Sequence, residues 1–204
     1  TPLSSLKMGI DFLSDITQDD TAKNVLTRMD NSVSRMSRLI SDVMDFTHGK
    51  MGSRIPLNTQ YVDNLNSVLL HTVSELTLLH EQCNIQCDIN IEGKVHCDPE
   101  RISQVLSNLL INAIVHGDDS RPIQVNGNIV DNSLVVRVSN HGDVISPDAM
   151  SRLFQPFWRQ QNHRDTGGLG LGLFIASQIS SAHNGTLTVE SDASKTEFSL
   201  KIPI

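Results

Sequence analysis

Asn108, Asn112 and His116 stand four residues apart, a spacing that puts all three on one face of a helix. Asparagine disfavours helix interiors because its amide competes for backbone hydrogen bonds. A row of such residues flanked by Leu109, Leu110, Ala113 and Ile114 predicts a face that looks into a polar cavity. The plainer alternative is amides merely exposed to solvent. A second constellation, Gly167-Gly168-Leu169-Gly170-Leu171-Gly172-Leu173, opens another helical pattern. Glycines at alternate positions let the backbone approach a ligand, and the N–H groups of a helix start favour an anion such as phosphate. The preceding residues 160–166 have no apolar side chain and have Arg159 and Arg164 at hand, the make-up of a mobile lid over a charged ligand. In a third piece, Val138-Ser139-Asn140-His141-Gly142, a strand delivers an amide and a glycine into a loop.

These groups need elements to hold them. The asparagine row belongs to a helix predicted over 99–116, started by Asp98 and by Pro99 at its first position. The glycine run opens a helix over 171–182. Strands are expected at 57–61, 85–91, 95–97, 123–130, 134–138, 187–190 and 198–202, with a helix over 65–79 and Asp131-Asn132-Ser133 as a hairpin turn. One mixed sheet with helices on one face follows, an α/β sandwich.

Upstream the pattern is different. Leu3, Leu6, Ile10, Leu13 and Ile16 fall in steps of three and four, which makes a helix, and residues 17–20 break it with capping residues. Ala22, Leu26, Met29, Val33, Met36, Ile40 and Val43 then give a longer helix at heptad spacing, ended by Gly49, Gly52, Ser53 and Pro56. The pair forms an antiparallel hairpin that cannot cover both of its apolar stripes. A dimeric four-helix bundle is the expected solution; packing on the downstream domain is the alternative. The chain is thus read as α+β: a helical hairpin over 1–49, a linker over 50–60 and the sandwich over 61–204.

Composition narrows the ligand. With 16 basic and 23 acidic residues the net charge is −7, and no basic run is present, so no nucleic-acid partner is expected and any bound polyanion is a small one. No segment approaches the roughly 20 apolar residues of a membrane helix, so no membrane contact is expected of this segment. Cys83, Cys87 and Cys97 have no paired spacing, which suits a reducing, cytoplasmic setting. His80, Cys83 and Cys87 lack the fourth ligand and the spacing of a zinc site.

In order, the three constellations resemble the ATP-binding fold shared by histidine kinases, Hsp90, DNA gyrase and MutL, and the fuller match is to sensor histidine kinases. Asp98-x2-Arg101 followed by Gln104-Val105-Leu106-Ser107-Asn108-Leu109-Leu110-Ile111-Asn112-Ala113 resembles their N box. Leu153-Phe154-Gln155-Pro156-Phe157-Trp158-Arg159 is similar to the phenylalanine box, and residues 168–173 to the second glycine box. Thr1-Pro2-Leu3 looks like the end of a phosphoacceptor box, and residues 35–46 resemble the second dimerisation helix, with some likeness to the bacteriophytochrome group.

This resemblance implies ATP and Mg²⁺ as cofactors, a homodimer through residues 1–49 and a response-regulator receiver domain as partner in bacterial two-component signalling. Asn112 would ligate Mg²⁺, with Asn108 and His116 on the phosphate side. Asn140 and Thr196 would meet adenine, and Gly142, Phe157, Gly168, Leu169, Gly170, Leu171 and Gly172 would surround the nucleotide. Arg159 would neutralise charge on the transferred phosphoryl group, and Thr1 would orient a water for regulator dephosphorylation or cap a helix. Lys7 and the polar face of the first helix are candidates for regulator contact.

Four departures stand out. Asn140 replaces an aspartate, a weaker acceptor by about 1 kcal/mol. Val144 replaces a glycine and is expected to narrow the pocket or stiffen its loop. Lys195 precedes Thr196 where glycine is common. The phosphoacceptor histidine is expected four residues before Thr1. The activity implied is autophosphorylation of that histidine followed by transfer to a regulator aspartate; the alternative is a kinase-like scaffold with little or no ATP turnover.

Overall fold

The apolar steps of three and four become two helices. In the computed structural model, which describes residues 2–50, 55–159 and 169–204, α1 spans Pro2–Ile16 and α2 spans Asp20–Lys50. Asp19 caps the second: its carboxylate accepts from the Thr21 N–H at 3.3 Å and the Ala22 N–H at 3.1 Å. Two of the amides that a helix start leaves open are thereby satisfied. The chain divides into two units, Thr1–Thr47 and His48–Ile204.

In the first unit the heptad stripe of α2 splits. Leu26 and Val33 are buried with Ile10, and Leu3 packs against them. Met29, Met36 and Val43, one step round the helix, stay exposed. The hairpin therefore uses one row to hold itself together and leaves a second row uncovered.

The second unit contains two sheets, not the single one expected. β1 (Gln60–Val62) pairs antiparallel with β3 (Val95–Cys97). The main sheet has the order β2-β4-β5-β7-β6, formed by β2 (Ile85–Asn90), β4 (Ile123–Val130), β5 (Ser133–Asn140), β6 (Thr186–Ser191) and β7 (Thr196–Pro203). Only β2 and β4 run parallel, so this sheet is mixed as predicted. Three helices form a layer on it: α3 (Leu65–Leu79), α4 (Pro99–His116) and α6 (Gly172–Ala182), with α4 in contact with the other two. Leu106, Leu109 and Leu110 of α4, Ile175 and Ile179 of α6, and Phe198 and Leu200 of β7 fill the core between the layers.

Local differences have local causes. The first strand starts at Gln60 rather than 57, because its extent is set by pairing with Val95–Cys97 and not by its own residues. The hairpin turn is two residues, Asp131 and Asn132, both at positive φ, with Ser133 already paired to Val130. A short helix α5 (Pro147–Met150) was not anticipated; the Ser146 hydroxyl accepts the Ala149 N–H at 3.3 Å and Pro147 occupies the first position. Part of the segment read as linker is tied to the second unit, where the Asn58 N–H donates to Asp98 at 2.7 Å.

Candidate nucleotide site

Asp98 starts the helix that carries the asparagine row, its carboxylate accepting the Arg101 N–H at 3.1 Å. From there α4 turns Ile102, Val105, Leu109 and Ala113 into the core and leaves Asn108, Asn112 and His116 half-buried along its flank. Asn108 is fixed by donating from Nδ2 to the Gly172 carbonyl at 3.0 Å, which brings the asparagine row against the start of α6. Among the described residues the Asn112 amide has no hydrogen-bond partner.

The glycine segment meets the phenylalanine segment. Gly170 has φ +69°, and a Cβ there would lie 2.9 Å from the Trp158 carbonyl oxygen and 3.1 Å from Arg159 Cγ. The Gly170 carbonyl accepts the Phe157 N–H at 3.0 Å. Phe157, Arg159 and Gly170 are therefore neighbours because the backbone leaves no room for a side chain between them. Leu171 is buried in the core and Leu169 is partly exposed, so Leu171 offers this site only its backbone. No side chain caps α6, whose first N–H groups lack that partner.

At the end of the main sheet, Asn140 on β5 pairs with Thr196 on β7, and both are buried. Asn140 Nδ2 donates to the His141 carbonyl at 3.2 Å. The Thr196 and Ser191 hydroxyls lie 2.8 Å apart, and Ser191 Oγ accepts the Ile145 N–H at 3.0 Å. Ser191 was not singled out from sequence; it braces the loop that follows Asn140. Gly142 sits against the end of α4, where a Cβ would come within 2.6 Å of the His116 carbonyl oxygen.

A polar cavity of about 500 Å³ opens here, lined by His116, Gly117, Asp118, Arg121, His141 and Gly142 among others. It takes in His116 and Gly142 but not Asn108, Asn112, Asn140 or Thr196. Hydrogen bonds from the Ser120 hydroxyl and N–H, and then the charges of Arg121 and His141, hold Asp118 at its rim below the usual carboxylate range. Val144, expected to narrow the pocket, is exposed. Thr1, Gly168 and the lid over 160–166 lie outside the described residues. No cluster of three metal-ligating side chains occurs among the described residues, nor is any helix there long and apolar enough to cross a membrane.

Two family models match the chain. One, described as histidine kinase-, DNA gyrase B-, and HSP90-like ATPase, covers residues 97–204; the other, the His Kinase A (phospho-acceptor) domain, covers residues 1–52. The bacteriophytochrome of Pseudomonas aeruginosa is 30% identical over 100% of the chain, which spans 28% of that protein. Sensor protein VanSC of Enterococcus gallinarum is 29% identical, also over 100% of the chain and over 57% of its own length. The chain thus spans less than two thirds of either relative. Among solved structures, full-length ShkA in complex with AMPPNP has a TM-score of 0.71 over 99% of this chain and 43% of its own, at 23% identity. The catalytic domain of histidine kinase ThkA has a TM-score of 0.62 at 26% identity, over 72% of this chain and 96% of its own.

Proposed function

The chain belongs to the sensor histidine kinases, and from that membership we propose that its second unit binds Mg·ATP between α4 and α6 and phosphorylates a histidine. The observation that carries this reading is the Asn108–Gly172 hydrogen bond, which sets a row of amides beside an uncapped helix start. That is a combination suited to a polyphosphate and its cation.

The residues fit the cation. Asn112 has an amide without a partner among the described residues, and a single protein oxygen suits Mg²⁺, which keeps waters and phosphate oxygens as its other ligands. When bound, Mg²⁺ would neutralise charge on the phosphates. Asn108, His116 and the backbone of Gly170–Gly172 would line the phosphate side, Arg159 would face its negative charge, and Gly142 would border the nucleotide. Asn140 and Thr196 would place an amide oxygen and a hydroxyl where the adenine edge is read. Asn140 keeps an acceptor oxygen, so its departure from aspartate gives the scaffold alternative little support.

In the reaction, an imidazole nitrogen attacks the γ-phosphorus in line with the departing oxygen of ADP; the N–P bond forms as the P–O bond breaks, and the imidazole loses its proton. The phosphoryl group then passes to a carboxylate of a response-regulator receiver domain. Thr1 would orient a water that hydrolyses the regulator's aspartyl phosphate to carboxylate and inorganic phosphate, and Lys7, which pairs with Asp30 at 3.9 Å, lies on the helix offered to that partner. The exposed Met29, Met36 and Val43 row supports pairing of two copies through residues 1–49. A cytoplasmic place for this segment follows from the proposed chemistry.

Titration with Mg·AMPPNP tests the reading. Micromolar binding that disappears in Asn112→Ala is expected, and absence of binding in the unaltered chain would refute it.

A further inference from the structure

The end of α6 is bound to the start of α4 by a contact that the nucleotide site does not use. The Asp98 N–H donates to His183 Nε2 at 3.1 Å, and His183 Nδ1 bonds the Ile179 carbonyl at 2.9 Å. A carbonyl only accepts, so Nδ1 carries the proton and Nε2 is the bare acceptor: the ring is neutral and in one tautomer. Both residues are 6% exposed. The Asp98 carboxylate is also committed, to the Arg101 and Asn58 N–H groups.

This contact has a counterpart at the site. Asn108 and Gly172 join the same two helices, ten residues along α4 from Asp98 and eleven along α6 from His183. At 1.5 Å per residue these separations are about 15 and 16.5 Å. Two polar rungs at matching spacing add a directional restraint on how far one helix can slide along the other, beside the interdigitation of their Leu, Ile and Ala side chains.

We propose that His183 is a positioning residue, acting through Asp98, for the nucleotide chemistry: it sets the axial register of α6 on α4. It thereby sets where the Gly170–Gly172 backbone stands relative to Asn108 and Asn112. The inference rests on the reading that ATP binds between these helices. A slip of one residue displaces the glycine backbone by about 1.5 Å, enough to misplace donors aimed at phosphate oxygens.

Two substitutions separate positioning from mere packing. His183→Gln keeps an acceptor where Nε2 lies, and His183→Asn keeps only a donor where Nδ1 lies. Mg·AMPPNP is titrated into each variant of the chain at a temperature where circular dichroism shows it folded. The expected result is a Kd for H183Q within twofold of the unaltered chain and a Kd for H183N at least tenfold weaker. Equal affinities for the two folded variants would overturn the proposal, whatever their melting temperatures. A measurement on the unaltered chain stands independently of variant folding: a scalar coupling across the Asp98 N–H to His183 Nε2 bond is expected by NMR, and its absence would overturn the proposal. Failure of the unaltered chain to bind the nucleotide would instead refute the proposed function, and this inference with it.

Discussion

Asn140 donates its side-chain N–H to the carbonyl of His141 at 3.2 Å, and the same carbonyl accepts the Asp118 N–H at 2.7 Å. With both lone pairs used, the amide has one favourable orientation, which leaves Oδ1 as the free acceptor. A carboxylate at this position would set an oxygen against the His141 carbonyl. Asn140→Asp is therefore expected to leave ATP-analogue affinity unchanged or weaker. A charged acceptor worth about 1 kcal/mol more would instead tighten binding roughly fivefold, and calorimetric titration distinguishes the two.

Gly142 has no space for a side chain, since a Cβ would sit 2.6 Å from the His116 carbonyl oxygen, a backbone atom at the end of α4. Gly142→Ala must push the loop away from the helix, at a cost of about 1–3 kcal/mol. Because both residues line the same cavity, nucleotide affinity is expected to fall at least tenfold together with the melting temperature. A variant that melts and binds like the unaltered protein would show that this approach is not needed.

Met29 and Met36 are 46% and 43% exposed, while Leu26 and Val33 on the adjoining row are buried. Replacing both methionines with glutamate puts charge on the uncovered row without touching the packing of the hairpin. Sedimentation equilibrium is expected to show the unaltered chain as a dimer and M29E/M36E as a folded monomer. A variant that stays dimeric would place the dimer contact elsewhere.

Cys97 is buried, and desolvation, followed by the charge of Asp98, pushes its thiol from its ordinary value near 9 up to about 11. The folded state holds the proton more tightly than the unfolded chain does. The resulting stability is complete below pH 9 and is lost as pH rises through 11. Melting temperature is expected to fall between pH 9 and 11 in the unaltered protein and to fall less in Cys97→Ala; identical slopes would contradict the assignment.

What was legible in the sequence was what short-range chemistry decides. Both ends of α4 were read correctly, its start because Asp98 and Pro99 mark it within two residues. The extent of β1 was misread because its partner lies more than 30 residues away. The short α5 did carry a signal, a serine before a proline, but lies in a polar stretch read as loop. The asparagine row and the glycine run could be paired only by their order along the chain; the Asn108–Gly172 hydrogen bond gives that pairing a geometry. His183 left no mark, since a lone histidine after a helix has no period, and its acceptor role exists only once α6 is laid on α4.

Asn112 offers the most direct test of the account. Alanine is the better helix former by about half a kcal/mol, and no hydrogen bond among the described residues is lost, so Asn112→Ala is expected to melt no lower than the unaltered protein. The full-length protein and its N112A variant are incubated with radiolabelled ATP and Mg²⁺, and acid-labile, base-stable phosphate on the chain is measured. The account predicts phosphohistidine in the unaltered protein and at least a hundredfold less in the equally stable variant. Equal labelling of both, or nucleotide binding with no phosphohistidine in either, would contradict it.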